Sequence, residues 1–215
     1  MNRENYSSVT GGVVGVSGVR PIVSAENSIA PGSDEAFQKL LLRISAQASG
    51  RGDTRSLIQF FCRATREFFQ VSGVYFWRCQ TGDELVGEQA DGKLTERFTG
   101  IRLRFEQSAV TADAVRQRRT TFANHVRSRT FPGAVEFDAH SLLAAPLVVC
   151  NEVIGAVTFL HDSEDEFFDE NLATKATILA GQLGTLLEAA RLGDECREEH
   201  RRAAILADIS HALHG

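Results

Sequence analysis

Hydrophobic residues recur at helical spacing near both ends of the chain and alternate with polar residues in between. Early in the chain, apolar residues three and four positions apart predict one helix over residues 34–50 and a second that begins near Asp53 and ends before Ser72. A third run of apolar residues at helical spacing predicts a long helix that begins at Phe167 or Asp169. It continues without a proline almost to the last residue. The pattern therefore places helices on either side of a central region of different character.

The central region is typical of short strands joined by turns. Val74–Trp77 and Glu84–Ala90 predict a hairpin around the turn at Thr81–Asp83. Ser141–Cys150 and Val153–Leu160 predict a second hairpin, apolar enough to lie in the middle of a sheet. Between the hairpins the pattern predicts a strand at 101–105, a short helix at 108–117, a strand at 120–122 and a long loop at 124–138.

This order predicts an α+β fold, an antiparallel sheet with helices from both chain ends packed on one face. Residues 1–33 show no sustained period and are rich in Gly, Ser and Asn, so we expect a flexible tail, with an extra strand over 12–23 as the alternative. We assign residues 34–192 to one domain and residues 193–215 to a linker helix that runs into a further domain.

Composition narrows the functional classes. The chain has 215 residues, is 43% hydrophobic and carries a net charge of −5, which suits a protein with a buried core and argues against binding to nucleic acid or to a membrane surface. The four cysteines lie far apart with no CxxC pair, which is the pattern of neither a zinc site nor a disulfide framework. No apolar run approaches the about 20 residues that span a bilayer. We expect a cytoplasmic protein with reduced thiols.

The second hairpin and the closing helix carry the most specific motifs. Ser141–Val149 followed by Val153–Val157 resembles the S-hydrophobic-x-A-x-P-L and VIGV strands of the GAF domain, a ligand-sensing module of bacterial signalling proteins and phosphodiesterases. Phe168–Leu172, leading into Leu183–Ala190, resembles the family's closing helix, and the likeness covers about Phe37–Leu192. The resemblance implies a PAS-related fold with a small-molecule pocket between the sheet and the long loop. It also implies that terminal helices on the opposite face mediate dimerisation.

Two binding motifs of the family are incomplete here. Gln107–Val110 stands where many members have a glycine-rich segment. Cyclic-nucleotide-binding members carry Asn-Lys, then Phe, then Asp-Glu, and this chain keeps only the second half, at Phe168–Glu170, with His161 and Asp162 at the first two positions. The sequence therefore identifies neither the ligand nor a cofactor.

The resemblance still implies where a ligand would bind. In the family the sheet's face and the long loop enclose the pocket, and the arginines near that loop would suit an anion. The candidate ligand-binding residues are Tyr75, Trp77, Arg116, Arg119, His125, Phe131, His140 and Ala145. The histidines lack metal-ligand spacing, so no metal site is predicted.

Three interpretations of the function follow. We expect a non-catalytic module that senses a small molecule, forms a homodimer and passes the ligand state along its C-terminal helix to an effector domain, such as a histidine kinase of a two-component system. A second interpretation is a thiol-based reductase of free methionine sulfoxide using Cys79 and Cys150, although the cysteine signatures of that GAF branch are not recognisable. A third is a degenerate GAF domain that binds no ligand and serves only as a dimerisation scaffold.

The end of the chain leaves three interpretations open. Leu206–Gly215 matches Leu41–Gly50 at four of ten positions, which indicates the start of a second GAF domain near residue 204. The same residues resemble the phosphoacceptor box of histidine kinases, but the acidic residue expected after His211 is missing. An uninformative helix end is the third possibility. The linker helix has either a weak coiled-coil seam or no seam, as a solvated linker helix. The seam, with spacings of three and four, would comprise Ala189, Leu192, Cys196, Glu199, Ala203, Leu206, Ser210 and Leu213.

Overall fold

A computed structural model describes residues 33–49, 53–80, 83–126, 139–164 and 166–214, with only the backbone given for residue 49 and residues 207–214. Its elements, in chain order, are α1 (Asp34–Ser49), α2 (Thr54–Phe69), β1 (Gly73–Cys79), β2 (Glu84–Gly92), α3 (Thr95–Phe98), β3 (Arg102–Arg104), α4 (Ala109–Gln117), β4 (Thr121–Ala123), β5 (Ser141–Val149), β6 (Glu152–His161) and α5 (Glu170–His214). The predicted tail, its alternative strand and most of the predicted long loop lie outside the described residues.

Within the described residues the strands form one six-stranded sheet in the order β3-β2-β1-β6-β5-β4. All neighbouring strands are antiparallel, and both predicted hairpins are present. Helices α1, α2 and α5 pack on one face of this sheet, which we call the helix face. The predicted α+β fold is confirmed.

Local hydrogen bonds determine where helix α2 begins and ends. The Asp53 carboxylate caps the helix by accepting a hydrogen bond from the Ser56 N–H at 2.6 Å. The helix ends at Gln70, which adopts a left-handed conformation and donates its N–H to the Arg66 carbonyl. Between these ends, Ile58 and Phe61 are among the apolar residues that face the sheet and are buried.

Helix α5 packs against the rest of the described structure only over its first half. Its buried residues recur at helical spacing and end at Leu187. The Gln182 side chain ties this half to α1 by donating to the Leu41 carbonyl at 2.9 Å and to the Ser45 hydroxyl at 2.6 Å. From Arg191 to Leu206 almost every side chain is exposed, so the helix continues away from the packed core. The proposed domain boundary after residue 192 stays a prediction.

Pro146 and Gly155 of the β5–β6 hairpin occupy positions where the missing N–H of proline and the missing Cβ of glycine are tolerated or needed. Pro146 lies beyond the part of β5 that pairs with β4, and a register shift on the β6 side follows directly after Leu147, so its missing N–H costs no ladder hydrogen bond on the β4 side. A Cβ on Gly155 would lie 2.4 Å from the Trp77 carbonyl oxygen, so only glycine allows β6 to approach β1 there.

The structure corrects the sequence-based prediction between β2 and β3. The return strand, predicted to end at Ala90, includes Asp91 and Gly92 as its last residues, although an Asp-Gly pair is typical of a turn. The chain then turns at Leu94, which has a φ of 60°, into the short helix α3, which the sequence pattern did not predict.

Candidate functional site

A cavity lies on the face of the sheet opposite α1, α2 and α5, which we call the cavity face. Strands β1, β5 and β6 meet α4 and β3 there, and the wall consists of Tyr75, Trp77, Leu103, Thr111, Leu142, Thr158 and Leu160. The volume that these residues leave is about 10 Å³. That is close to the smallest space that holds one water molecule.

Phe98 of α3 fills the space beside the two aromatic wall residues. Its ring centroid lies 4.6 Å from that of Trp77 in an edge-to-face contact and 5.1 Å from that of Tyr75. Helix α3 comes this close because β2 carries Gly87, where a Cβ would lie 2.5 Å from the Phe98 carbonyl oxygen. The unpredicted helix α3 therefore determines how much room the cavity has.

The polar groups of the wall are neutral. The Trp77 indole N–H donates to the Thr158 hydroxyl at 2.9 Å. The hydroxyls of Thr111 and Ser108 lie 2.8 Å apart. The Tyr75 hydroxyl donates to the Lys93 carbonyl at 2.8 Å, and burial raises the pKa of Tyr75 above its usual range. The described wall therefore suits a small, uncharged group better than an anion.

The predicted arginines lie outside this wall. The Arg116 guanidinium stands 5.1 Å from the centroid of the Phe105 ring and contacts the Asp83 carboxylate at 3.2 Å. Arg119 is exposed and donates to the Gln117 side chain at 2.6 Å. The structure thus brings neither arginine to the cavity among the described residues, and both have other partners on the surface.

The predicted histidines lie at the two ends of the predicted loop. His125 has a φ of 57° and approaches the Glu166 carboxylate at 3.7 Å. The His140 carbonyl accepts from the Val126 N–H at 2.6 Å, and the His140 N–H donates to the His161 carbonyl at 2.8 Å. These contacts hold the loop ends together beside the sheet, and neither histidine belongs to the described wall.

The structure separates Ala145 from the other candidates. Alternate residues of β5 face opposite sides, and Leu143 and Ala145 belong to the helix-face core whereas Leu142 and Ala144 belong to the cavity-face core. Ala145 is therefore fully buried against the helices and does not line the cavity. Phe131 lies outside the described residues.

Sequence reasoning missed most of the wall apart from Tyr75 and Trp77. Thr158 carried the clearest signal, because it is a hydroxyl in an otherwise apolar strand and pairs directly with Tyr75 across β1 and β6. The other wall residues missed were Leu103, Thr111, Leu142 and Leu160.

Asn124 joins the cavity side of the domain to the beginning of α5. Its amide nitrogen donates to the Phe168 carbonyl at 2.9 Å, and its amide oxygen accepts from the N–H groups of Phe167 at 3.3 Å and Phe168 at 3.1 Å. Asn124 directly follows β4, and Phe168 is buried in the helix-face core just before α5. We call this set of hydrogen bonds the Asn124 clamp.

No cysteine lies in the described wall of the cavity. Cys62 is buried in the helix-face core, and its burial raises the pKa of its thiol. Cys79 is half-buried, and burial raises its pKa to about 11, so the thiol is protonated at neutral pH. Cys150 and Cys196 are exposed.

The comparisons with known proteins agree with this architecture. The family model described as GAF domain matches residues 52–188. The chain belongs to the GAF family. This confirms the predicted family, and the match runs from the start of α2 to the end of the packed half of α5. None of the curated proteins matches.

Several solved GAF-fold structures are similar. The GAF domain of a phosphoenolpyruvate-protein phosphotransferase from Coxiella burnetii is 16% identical, with 76% of this chain and 99% of that chain covered and a TM-score of 0.65. Free methionine-R-sulfoxide reductase from Neisseria meningitidis is 23% identical, with 75% and 95% covered and a TM-score of 0.64. The GAF domain of nlh2 from A. aeolicus is 16% identical, with 72% and 97% covered and a TM-score of 0.61. At these identities the similarity shows the fold alone.

Across the described ranges of the chain, the structure contains no helix that combines the length and the apolar character needed to span a membrane.

Proposed function

We propose that this GAF domain is a non-catalytic regulatory module whose cavity face receives a small, uncharged ligand and whose α5 helix passes the result to an effector domain in the same chain. The observation that carries the proposal is the Asn124 clamp, because it connects the cavity side of the sheet to the origin of α5. An effector such as a histidine kinase of a bacterial two-component system would suit this arrangement.

The route from cavity to helix is short and polar. Strand β4, next to β5 of the cavity wall, ends at Ala123, and Asn124 follows at once. Asn124 fixes the backbone at Phe168, and the Asp169 carboxylate then caps α5 by accepting from the Leu172 N–H at 2.7 Å. A ligand that moves the end of β4 would therefore displace the first turn of α5, which biases the helix between two packings.

The exposed half of α5 supports dimerisation. Leu192 and Leu206 keep 52% and 67% of their surface exposed, and both belong to the predicted coiled-coil seam. A parallel second copy would cover them and place each Cys196 opposite its counterpart, since both occupy the same seam position. Mild oxidation of the full chain is expected to give a disulfide-linked dimer that Cys196→Ser abolishes and Cys150→Ser leaves intact. If Cys150→Ser rather than Cys196→Ser abolished the cross-linked dimer, dimerisation through the predicted coiled-coil seam would be contradicted.

The ligand-free scaffold remains the second candidate, and one observation favours it. Phe98, Tyr75 and Trp77 pack so closely that the described wall leaves only about 10 Å³. A scaffold would keep this packing permanently, whereas a sensor would open it when the ligand binds.

The reductase interpretation has less support. One similar structure is a free methionine-R-sulfoxide reductase from Neisseria meningitidis. In this chain the described wall holds no thiol, and Cys79 has a raised pKa, which disfavours the thiolate that such chemistry needs. We expect no turnover of free methionine sulfoxide by the purified chain in the presence of a thiol reductant.

The sensor and the scaffold are distinguished by looking for a ligand directly. Native mass spectra recorded beside denaturing ones would show a co-purifying small molecule as a mass that is lost on denaturation. Trp77 is the chain's only tryptophan and lines the cavity, so its fluorescence reports entry of that molecule when it is added back. No bound mass and no fluorescence change with any uncharged candidate would favour the scaffold.

Hydrogen exchange tests the clamp itself. Addition of the recovered ligand is expected to change amide exchange over residues 167–175, and Asn124→Ala should remove that change while ligand binding at Trp77 persists. Asn171→Ala is the matched control, because Asn171 lies exposed in the first turn of α5 and does not take part in the clamp. An equal response in Asn124→Ala and the parent would contradict the proposed route.

A further inference from the structure

A second, larger groove lies where the N-terminal end of α2 meets the β1–β2 hairpin. Its volume is about 310 Å³, and its lining consists of Thr54, Arg55, Ile58, Arg78, Glu88, Gln89 and Thr99. It shares no residue with the cavity wall, so any role it has is independent of the proposed function.

A β-bulge shapes one side of the groove. Phe76 pairs with Gln89 and Trp77 pairs with Gly87, so Glu88 is an extra residue in β2. The Glu88 carboxylate holds Arg78 in a two-pronged contact, with the guanidinium Nε and Nη2 at 2.9 and 3.0 Å from its two oxygens. The Thr99 hydroxyl donates to the Glu88 carbonyl at 3.1 Å. The bulge is therefore a fixed, hydrogen-bonded wall.

Gln89 is the observation that points to a ligand. Only 9% of its surface is exposed, and what is exposed lines the groove. Its carbonyl accepts from the Cys62 thiol, but within the described residues its side-chain amide makes no hydrogen bond. The amide keeps contact with solvent through the groove, so water satisfies it until a ligand takes that place. The amide of Gln89 therefore offers an unused donor and an unused acceptor to whatever enters the groove.

Arg55 supplies a positive charge to the same groove. It lies in the first turn of the 16-residue helix α2, is exposed, and forms no ion pair within the described part of the chain. Hydrogen bonds from Ser56 and, to a smaller extent, the charge of Arg55 lower the pKa of the nearby Asp53 carboxylate, which caps the helix. Because Glu88 balances Arg78, the lining side chains carry one net positive charge. The positive end of the α2 dipole adds to that charge.

We propose that this groove binds a small metabolite through a carboxylate or phosphate group. Arg55 and the Gln89 amide nitrogen donate to its oxyanion, the Thr54 hydroxyl adds a donor, and Ile58 supports the apolar part. One donor comes from α2 and the other from β2, so occupancy would bear on the contact between this helix and the sheet.

NMR titration of the full chain with inorganic phosphate and with succinate tests the proposal, with sodium chloride at equal ionic strength as the reference. Saturable shifts of the Gln89 side-chain amide and of the Arg55 backbone amide are expected. Arg55→Gln should weaken the binding at least about tenfold, since hydrogen bonds to charged groups contribute about that much. Shifts with phosphate alone indicate a phosphate-bearing ligand, and shifts with both indicate that a carboxylate suffices.

Arg63→Gln provides the matched control, because Arg63 is exposed on the same helix but does not line the groove. It should bind both anions as the parent does. Equal weakening by Arg63→Gln and Arg55→Gln would overturn the proposal, because the effect would then be one of general charge. Absence of any saturable shift at Gln89 up to about 20 mM of either anion would overturn it as well.

Discussion

The two faces of the sheet are both closed to solvent, but different kinds of element close them. The helix face is covered by the long helices α1, α2 and α5, which bury a large continuous apolar cluster. The cavity face is covered by the short helices α3 and α4, and its core contains hydrogen-bonded polar groups such as the indole of Trp77. From this difference we expect the helix face to provide most of the stability and the short elements of the cavity face to be the less stable part of the domain.

The largest expected effect is a loss of stability from the helix face. Phe61 is fully buried between α2 and the sheet, so Phe61→Ala should lower the free energy of unfolding by about 3–5 kcal/mol. Chemical denaturation of the purified chain measures this value. Phe60→Ala is the control, because Phe60 is only partly buried at the edge of the same core. A loss for Phe60→Ala as large as that for Phe61→Ala would show that burial on this face does not determine stability.

A pair of buried threonines compares the two faces directly. Thr158→Val on the cavity face removes the acceptor of the Trp77 indole N–H, which should cost about 1–3 kcal/mol because a buried donor is left unpaired. Thr65→Val on the helix face should cost less, since the Thr65 hydroxyl donates to the Phe61 carbonyl, which is also an α-helical backbone acceptor. Urea denaturation of both variants gives the comparison.

A double-mutant comparison tests whether Thr158 acts through its hydrogen bond to Trp77. In a Trp77→Phe background the donor is absent, so Thr158→Val should cost much less than in the parent chain. An undiminished cost in that background would mean that Thr158 acts through packing, and the contrast between the faces would then lose its chemical basis.

Local patterns predicted the framework well and the cavity poorly. Caps such as Asp53 and turn residues act within a few positions, so the helices and hairpins followed from the sequence. Helix α3 has only four residues, too few to show a period. Strand β5 is buried on both faces, so its apolar run gave no indication of which residues face the helices, as Ala145 does.

The other features that the sequence did not predict are contacts between side chains and distant parts of the chain. Nothing in the sequence shows that Arg116 contacts Asp83, or that Asn124 meets Phe168 across 44 positions. Both contacts depend on tertiary placement, which pattern and propensity do not encode. The Asn124 clamp exists only because the fold brings the end of β4 next to the start of α5.

The smallest expected effect concerns pH at the edge where the two faces meet. The His161 ring stacks on Phe167, with centroids 3.7 Å apart, and its Nδ1 is buried without a partner among the described residues. Burial lowers the pKa of His161, and the nearby Asp162 only partly opposes this. Folding therefore favours the neutral ring. The contribution to stability is complete above the unfolded pKa of about 6.5 and is lost as the pH falls toward the lower folded value.

Stability measured from pH 7.5 down to about 5.5 should therefore decline less in His161→Gln than in the parent chain, where part of the decline comes from protonation of this ring. His200→Gln is the control, because His200 is exposed on the far half of α5 and should leave the slope unchanged. If the stability of His161→Gln and His200→Gln falls equally with pH, the pH dependence comes from other groups. The edge where the two faces meet would then be no more sensitive to protonation than the rest of either face.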